Sequence, residues 1–340
     1  MNSRERVITA LERKIPDRVP TFEIIIDENV IKKIIPGADL YDFVEKMELD
    51  GVNLRPSFKL EKIDKNLFEE ERGIIYKYTN ENILDPLNKV IKNEKNLKKF
   101  EFPDPKDSNI LLDLQKAINR FNKKIAIISN LRYGLTEVRN LHGFTETLID
   151  FVDNPKLIKG IIEKASDYYI ELGKLTAKLG IEIVASTDDI AGKNGLLMSP
   201  YHFKEIVYPA MKRVYKSWKK EGLYIVTHLD GNISAIMDLL LETDTDCIHS
   251  IDPTAGMDLK KFKEEYGKRI CIMGNVNCAG NLVFGTENDV IEEVKQCINV
   301  AAKGGGYIIS TCNSILSSTK PENYVAMINA VKKYGNYPTG

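Results

Sequence analysis

The sequence predicts an α/β protein built as a single (β/α)8 barrel of the TIM type, with residues 1–340 forming one domain. The first observation behind this prediction is size, because 340 residues, 43% of them hydrophobic, suffice to bury a large core. The second is that eight short runs rich in β-branched residues alternate with segments of 3.6-residue periodicity, the order expected of parallel strands and helices. The third is that no Pro-, Ser- or Gly-rich linker divides the chain.

Each predicted strand is a short apolar run closed by polar residues. The eight runs occupy residues 19–26, 51–55, 125–131, 181–186, 224–228, 247–251, 270–274 and 307–311. The last four are the clearest, because their spacing is tight and regular. After the second strand, the stretch GIIYKYTNENILDPLNKVIKN contains two alternating runs about a turn, which predicts a β-hairpin inserted into the barrel.

The composition excludes several classes of partner. A formal net charge of -1 argues against a broad electrostatic surface for nucleic acid or anionic lipid. No window approaches the length of apolar chain that a membrane span requires, and the first residues lack the apolar core of a signal peptide. We therefore expect a cytoplasmic protein with no nucleic-acid or membrane partner. Five cysteines without a Cys-x-x-Cys pair argue against a disulfide framework.

Residues at the carboxyl ends of the strands are the candidates for a functional site, because the active sites of such barrels lie there. We expect the substrate to contact strand-end and nearby apolar side chains, namely Glu23, Arg55, Tyr133, Met198, His249 and Asn275. Phe22 and Phe284 are further candidates for a flat apolar pocket, and core packing is the alternative for both. For His249 the alternative is a packed, hydrogen-bonded interior residue.

The sharpest combination at these strand ends is His228, Asp230 and Cys312. Imidazole, carboxylate and thiolate are all good zinc ligands, and three protein ligands leave a fourth position open for a substrate atom. The sequence thus predicts a zinc site over the centre of the barrel. The alternative is that Asp230 belongs to an ordinary turn and caps the next helix, while Cys312 is a core residue.

Two adjacent carboxylates, Asp188 and Asp189, end the fourth predicted strand. A carboxylate pair can supply a general acid beside an ionised neighbour, so both are candidates for catalysis. Adjacent residues on a strand point to opposite faces, however. We expect one of the two to enter the site and the other to brace a loop.

Several stretches along nearly the whole chain resemble the uroporphyrinogen decarboxylase superfamily. They are SRERVITALERKIPDRVP, MSPYHFKEIVYPAMKRV, THLDGN, IMGNVN and STKPENYVAMINAVKKYG. The resemblance implies one (β/α)8 barrel over residues 1–340, in agreement with the strand count. This superfamily contains tetrapyrrole decarboxylases and a larger group of cobalamin-dependent methyltransferases.

The decarboxylase branch fits the sequence poorly. Its N-terminal signature is a run close to Arg-Gln-Ala-Gly-Arg, whose arginines bind substrate carboxylates, whereas this chain reads PTFEIIIDEN. Glu23 and Asp27 would repel a polycarboxylate there. The decarboxylases also carry Gly-His-Gly near the end, where this chain has STCNSI.

The methyltransferase branch fits better. Members that methylate a thiol carry zinc on His-x-Cys after the fifth strand and on a cysteine after the eighth, and His228 and Cys312 match two of these positions. Asp230 replaces the middle cysteine, which makes the site harder and more electrophilic. The pattern looks more like the branch that takes methyl groups from methoxylated aromatic compounds. The resemblance therefore implies a zinc-dependent O-demethylase component that passes a methyl group from a small donor to the cobalt of a corrinoid (cobalamin) protein.

Other functions stay open at this point. The methyl group could flow from the corrinoid protein to a thiol or folate acceptor, or the barrel could be a metal-free decarboxylase. Binding without turnover is a fourth alternative. Besides the corrinoid protein and the small-molecule methyl donor, a second copy of the chain is a possible partner, forming a homodimer.

Overall fold

A computed structural model of the chain describes residues 1–81, 83–107 and 109–337. The strands in these residues are β1 (Gly51–Leu54), β2 (Leu60–Asp64), β3 (Leu67–Glu70), β4 (Ile75–Tyr78), β5 (Leu84–Pro86), β6 (Ala126–Leu131), β7 (Ile183–Thr187), β8 (Ala191–Gly192), β9 (Gly195–Leu196), β10 (Tyr224–His228), β11 (Cys247–Ser250), β12 (Cys271–Gly274) and β13 (Tyr307–Ile308).

The helices of the same residues are α1 (Ser3–Leu11), α2 (Glu28–Ile34), α3 (Leu40–Lys46), α4 (Glu94–Lys99), α5 (Leu112–Phe121), α6 (Leu135–His142), α7 (Phe144–Asp153), α8 (Pro155–Lys178), α9 (Pro200–His202), α10 (Tyr208–Lys220), α11 (Met237–Leu241), α12 (Leu259–Tyr266), α13 (Asn281–Phe284), α14 (Glu287–Ala301) and α15 (Pro321–Tyr334). Single turns of other helix types cover Phe203–Val207, Ser234–Ile236 and Pro253–Ala255. No helix in the described part of the chain combines the length and the apolar character needed to cross a membrane.

Seven strands form one curled parallel sheet in the order β1-β6-β7-β10-β11-β12-β13. They correspond to the second through eighth predicted strands, and every neighbouring pair runs in parallel. Helices lie against the outside of the sheet, as the alternating sequence pattern predicted. The result is a TIM-barrel-like arrangement whose strands all end at the same mouth.

The first predicted strand, residues 19–26, is not a regular strand. It makes only isolated parallel bridges, Thr21 with Ile309 and Ile26 with Ile315. The segment nevertheless lies between β13 and β1, because the Ile309 amide donates to the Pro20 carbonyl and the Asp50 amide donates to the Thr21 carbonyl. Pro20 has no N–H of its own, so a continuous hydrogen-bond ladder cannot form there.

The insertion after β1 is larger than the predicted hairpin. It is a four-stranded antiparallel sheet in the order β2-β3-β4-β5. Within it, β4 and β5 pair antiparallel inside the stretch expected to form the hairpin, of which residue 82 lies outside the described part of the chain. The two additional strands come from the charged stretch KLEKIDKNLFEE, whose first strand is fully exposed and carries no burial pattern.

The barrel interior is filled by alternate residues of the strands, as the period of two requires. Ile128, Ile183, Val226 and Ile308 belong to one buried cluster, together with residues of α1. Helix α1 therefore closes the amino-terminal end of the barrel. The polar residues that follow on the same inward-facing positions are left at the opposite mouth, where the candidate site lies.

Candidate metal centre

His228 is placed over the barrel centre by the alternation of β10. Tyr224 and Val226 pack in the interior cluster, so the next residue of the same parity, His228, also points inward. On β11, Cys247 packs in the interior cluster, so His249, two residues later, also points inward. His249 is the residue of β11 that pairs with His228 of β10. The two imidazole rings thus lie side by side, with His228 6% exposed and His249 fully buried.

The hydrogen bonds of the two histidines fix the tautomer of each. His249 Nε2 lies 2.8 Å from the Thr311 carbonyl oxygen, which can only accept, so this nitrogen carries a hydrogen. Burial, followed by the charge of His228, lowers the pKa of His249 well below its usual value, so the ring is neutral. Its Nδ1 therefore accepts from His228 Nδ1, 2.7 Å away. This arrangement leaves His228 Nε2 free to bind a metal or a proton.

Two carboxylate oxygens face that nitrogen. His228 Nε2 lies 3.8 Å from Asp189 Oδ1 and 3.6 Å from Asp230 Oδ1. Both oxygens are buried, and neither has a hydrogen-bond partner among the described residues. Buried anionic oxygens without a partner are costly unless a cation compensates them. The ligand atoms of Asp189, His228 and Asp230 all lie within 4.8 Å of one another, so these residues fit a metal ion.

Asp230 is held in place from the neighbouring strand end. Its Oδ2 accepts from Asn313 Nδ2 at 2.5 Å. Burial raises the pKa of Asp230 to about 6, against the opposing effect of His228. The helix-capping alternative does not describe this aspartate, since the Ser234 amide instead donates to Asn232 Oδ1.

Gly231 brings the loop of Asp230 against the loop that follows β7. Its φ is +79°, and a Cβ at this position would lie 2.5 Å from the Gly192 carbonyl oxygen. The Asn232 amide donates to the same carbonyl at 3.0 Å. Glycine is thus required for both the backbone conformation and the close approach that places Asp230 near Asp189.

Asp188 and Asp189 have opposite surroundings. Asp188 is fully buried, and its two oxygens accept from the backbone amides of Tyr133 and Thr136 at 2.7 and 2.6 Å. It thus braces the loop at the start of α6. Asp189, in contrast, faces His228. Of the predicted catalytic pair, only Asp189 presents its carboxylate to the centre.

The predicted ligand Cys312 lies against another sulfur. Its Sγ is 3.6 Å from Cys278 Sγ, and their hydrogen bond lowers the pKa of Cys278 and raises that of Cys312. Among the described residues, the set of ligand atoms within 4.8 Å of one another does not include Cys312. Metal ligation by Cys312 thus stays a prediction. The sequence analysis missed Cys278, although its position four residues after the end of β12 satisfies the strand-end rule.

Several residues predicted to bind substrate are occupied within the protein. Both ring nitrogens of His249 are bonded, so none is left for a ligand. Glu23 accepts from the Thr311 amide and hydroxyl, and burial raises the pKa of Glu23 to about 8. Asn275 donates to the Ile251 carbonyl. Tyr133 is fully buried. These buried side chains therefore support the residues of the site through contacts within the protein.

The two further aromatic candidates do not share a pocket. Phe22 is fully buried in the interior cluster, and Phe284 is 81% exposed. Core packing, the alternative considered for Phe22, therefore describes that residue.

Met198 lines a cavity beside the metal centre. The cavity is small and open to solvent, and Asp189 forms part of its wall. Its other lining residues are mostly apolar: Leu135, Thr136, Arg139, Phe144, Thr147, Leu148, Phe151 and Leu197. Arg139 Nη1 lies 4.0 Å from Asp189 Oδ2, so a cation stands beside the carboxylate at the cavity wall. Arg139 lies inside helix α6 and not at a strand end, so the strand-end rule does not predict it.

Arg55 belongs to a group of arginines near the same carboxylate. Arg55 is exposed, and the charges of Arg132, Asp189 and Arg139 act on it. Arg132 is itself paired with the buried Glu137 at 2.7 Å. Arg55 and the partly exposed Arg139 are thus accessible to a ligand.

The chain belongs to a known protein family. Residues 70–334 match the family described as uroporphyrinogen decarboxylase (URO-D), and the chain is therefore a member of that family. The expected superfamily is confirmed. Matching relatives include enzymes of both activities that the sequence resemblance implied.

One curated relative is the methylated-thiol–coenzyme M methyltransferase of Methanosarcina mazei, 24% identical over 196 residues, which cover 58% of this chain and 48% of the relative. Another is a uroporphyrinogen decarboxylase of Geotalea daltonii, 23% identical over 183 residues, covering 53% of this chain and 50% of the relative. The chain thus spans about half the length of the curated relatives it matches.

A solved structure supports the fold over the whole chain. It is a methyltransferase from Methanosarcina mazei with a TM-score of 0.77 and 17% sequence identity. The match covers 98% of this chain and 99% of that chain. At this level of identity the similarity shows a shared fold.

Proposed function

We propose that the protein is a zinc-dependent methyltransferase that moves a methyl group from a small donor to the cobalt of a corrinoid protein. A methoxylated aromatic compound is the donor we favour, which makes the protein an O-demethylase component. The observation that carries this proposal is a pair of buried oxygens, one each of Asp189 and Asp230, that face His228 Nε2 and have no hydrogen-bond partner among the described residues. This set of one nitrogen and two oxygens would hold zinc and leave a position open for a donor atom.

The chemical need for such a centre follows from the donor. An aryl methyl ether is inert because phenolate is a poor leaving group. Zinc, when bound, would act as a Lewis acid on the ether oxygen and stabilise the developing charge. The protein's own residues orient the reactants: His249 holds the His228 ring, and the apolar wall around Met198 would hold the aromatic ring.

The remaining roles are divided between this chain and its partner. Asp189 borders both the centre and the cavity, so as a metal ligand it would hold the zinc close to the donor's oxygen. The nucleophile, reduced cobalt, would come from the corrinoid protein docked at the barrel mouth. In-line attack then requires the methyl group to point out of the mouth.

The experiment uses cob(I)alamin in place of the corrinoid protein and 3-methoxybenzoate as the donor. Wild-type protein loaded with zinc should form methylcobalamin and 3-hydroxybenzoate in equal amounts. Asp189→Asn should lose this activity, whereas Asp153→Asn, a change of the exposed acid at the end of α7, should retain it. Full activity in Asp189→Asn would contradict the proposed role of the centre.

A second candidate function is methyl transfer from the corrinoid protein to a thiol. Two observations favour it: the sulfur atoms of Cys278 and Cys312 lie 3.6 Å apart at the barrel mouth, and one relative is named as a methylated-thiol–coenzyme M methyltransferase. The test supplies methylcobalamin together with small thiols. Thioether formation by the zinc-loaded protein, without demethylation of 3-methoxybenzoate, would establish this function over the first.

A further inference from the structure

Two arginines stand beside the candidate metal centre with little to neutralise their charge. Arg55 follows β1 directly, and its exposed side chain makes no ion pair or hydrogen bond with the described residues. Arg139, on α6, is partly exposed, and within the described part of the chain its one ion-pair partner is Asp189, at 4.0 Å. That distance is long for a carboxylate–guanidinium contact. Both guanidinium groups are therefore available to a ligand.

The other arginines of this region are already paired. Arg72 and Arg132 share the buried carboxylate of Glu137, and Arg72 also binds Glu70. Two positive charges thus meet two negative charges inside the protein. A charge network that is balanced in this way needs no ligand, which distinguishes it from the first two arginines.

The order of the strands brings the two available arginines to one edge of the cavity. Strand β6 lies between β1 and β7, so Arg55 and Asp189 follow the strands on either side of it. The charges of Asp189 and Arg139 both act on Arg55. Arg139 and Asp189 also line the same small cavity, whose wall is otherwise mostly apolar. A cationic edge therefore borders an apolar wall next to the metal centre.

Metal binding would leave this edge more strongly cationic. Asp189 Oδ1 faces His228 Nε2 at 3.8 Å, while Asp189 Oδ2 is the oxygen near Arg139. As a metal ligand, Asp189 would share its negative charge with a bound cation, which is the largest local charge in such a site. Arg55 and Arg139 would then face the open cavity with less of that charge to balance them. A concentration of one sign of charge in a cleft attracts a ligand of the opposite sign.

We propose that Arg55 and Arg139 form an anion subsite that binds a carboxylate group of the methyl donor, so that the donor is a methoxylated aromatic acid. This inference rests on the proposed function and names the class of its donor. The planar guanidinium group matches a carboxylate with two parallel hydrogen bonds. The apolar wall around Met198 would hold the ring, and the anchored carboxylate would fix how the methoxy group is presented to the metal centre.

The experiment measures binding by calorimetry to the zinc-loaded, full-length protein without any corrinoid. The ligands are 3-methoxybenzoate and its neutral counterpart 3-methoxybenzamide. Wild-type protein should bind the acid at least about 10-fold more tightly than the amide, because charge-assisted hydrogen bonds are stronger than neutral ones. Arg55→Gln and Arg139→Gln should each weaken binding of the acid by about 10-fold and leave binding of the amide unchanged. The matched control is Arg213→Gln, a change of an exposed arginine on α10 that pairs with Asp167.

Circular dichroism and zinc content check that each variant is folded and loaded. Equal affinity of wild type for acid and amide, or unchanged binding of the acid in both variants, would overturn the inference. Demethylation of 3-methoxybenzamide at the rate seen with the acid would likewise overturn it, while the proposed function would stand. Binding of the acid that depends on both arginines, without methylcobalamin formation from cob(I)alamin, would support the anion subsite and contradict the proposed function.

Discussion

At the scale of single residues, the centre depends on one histidine that orders another. The Thr311 carbonyl fixes the tautomer of His249, and His249 fixes that of His228. Metal-binding histidines are held in this way by a second hydrogen bond, which orients the ring and keeps one nitrogen available. His249 is thus a positioning residue whose effect is transmitted through His228.

Replacing His249 tests this relation. His249→Leu keeps the side chain's approximate bulk and removes the acceptor for His228 Nδ1, so zinc affinity should fall by about 10- to 100-fold. Competition with a chromophoric chelator measures the affinity, and circular dichroism checks that the variant is folded. His142→Leu is the control, since His142 is buried, is bonded to the Ile91 carbonyl and to Asp150, and does not belong to the set of metal-ligand residues. Equal affinity in His249→Leu and wild type would contradict the positioning role.

Part of the residue-scale arrangement was predictable from the sequence. The alternation of β10 places His228 at the mouth, and Asp189 and Asp230 follow inward-facing positions of their strands. The proximity of Cys278 to Cys312 was not predictable in the same way. It depends on how two loops after different strands fold back, which has no period in the sequence.

At the scale of elements, the two acidic residues that follow β7 have separate contacts, one with the start of α6 and one with the candidate metal centre. Asp188 closes the turn into α6 by accepting two backbone amides, and its neighbour Asp189 faces the centre. One member of the carboxylate pair therefore supports the backbone, and the other faces His228. The sequence rule for adjacent strand residues anticipated such a division, but only the contacts show which aspartate takes which part.

Alanine at each position should separate the two parts. Asp188→Ala leaves two buried amides without an acceptor, and at about 1–3 kcal/mol for each, it should lower the free energy of unfolding by about 2–6 kcal/mol. Asp189→Ala removes an oxygen for which the described part of the chain offers no hydrogen-bond partner, so stability should change by less than about 1 kcal/mol while zinc binding is lost. Urea unfolding of the metal-free proteins measures the change in stability of each variant. A larger loss of stability in Asp189→Ala than in Asp188→Ala would contradict this division.

The first predicted strand, residues 19–26, is the one barrel strand that the sequence pattern predicts incorrectly as regular. Seven predicted strands are regular, and the apolar run at 19–26 occupies the remaining position with isolated bridges. The run has the composition of a strand, but Pro20 removes a donor. The composition thus predicts correctly where residues 19–26 lie in the barrel, and the absence of an N–H on Pro20 explains their irregular pairing.

At the scale of the whole molecule, a buried charge network joins the inserted sheet to the barrel. Arg72, two residues after β3, binds Glu70 and Glu137, and Glu137 on α6 also binds Arg132 at the end of β6. Burial alone would raise the pKa of Glu137, but the charges of Arg72 and Arg132 outweigh it and lower the pKa to about 2. The carboxylate is thus ionised at neutral pH, where it holds the two parts together.

Glu137→Gln should destabilise the protein in a pH-dependent way. At neutral pH the variant leaves two guanidinium groups without their shared carboxylate, which should cost about 3–5 kcal/mol. Because the folded-state pKa is depressed, the contribution of Glu137 is present above its ordinary pKa of 4.5 and is lost as the pH falls toward about 2. The difference in unfolding free energy between wild type and variant should therefore shrink below about pH 4.5. A difference that grows toward acid pH would contradict the assignment, and Asp153→Asn should show no such trend.

The whole-molecule architecture was the most predictable level, and the insertion was the least. Alternating strands and helices fix a parallel barrel because the chain has few other ways to bury such runs. The network around Glu137 joins residues distant in sequence, and charged residues in a stretch such as KLEKIDKNLFEE read as solvated surface until their partners are known. The cavity wall also joins residues distant in sequence, because α6, α7 and the loop after β9 form it together, and it could not be predicted from the sequence.

The central claim is that His228 and its acidic neighbours hold a zinc ion. Elemental analysis of untagged protein, purified without added metal, tests it most directly when wild type is compared with His228→Ala and the surface control Asp153→Asn. We expect about one zinc per chain in wild type and control, and none in a folded His228→Ala variant. Absence of zinc from wild type even after reconstitution, or equal zinc in His228→Ala, would contradict it.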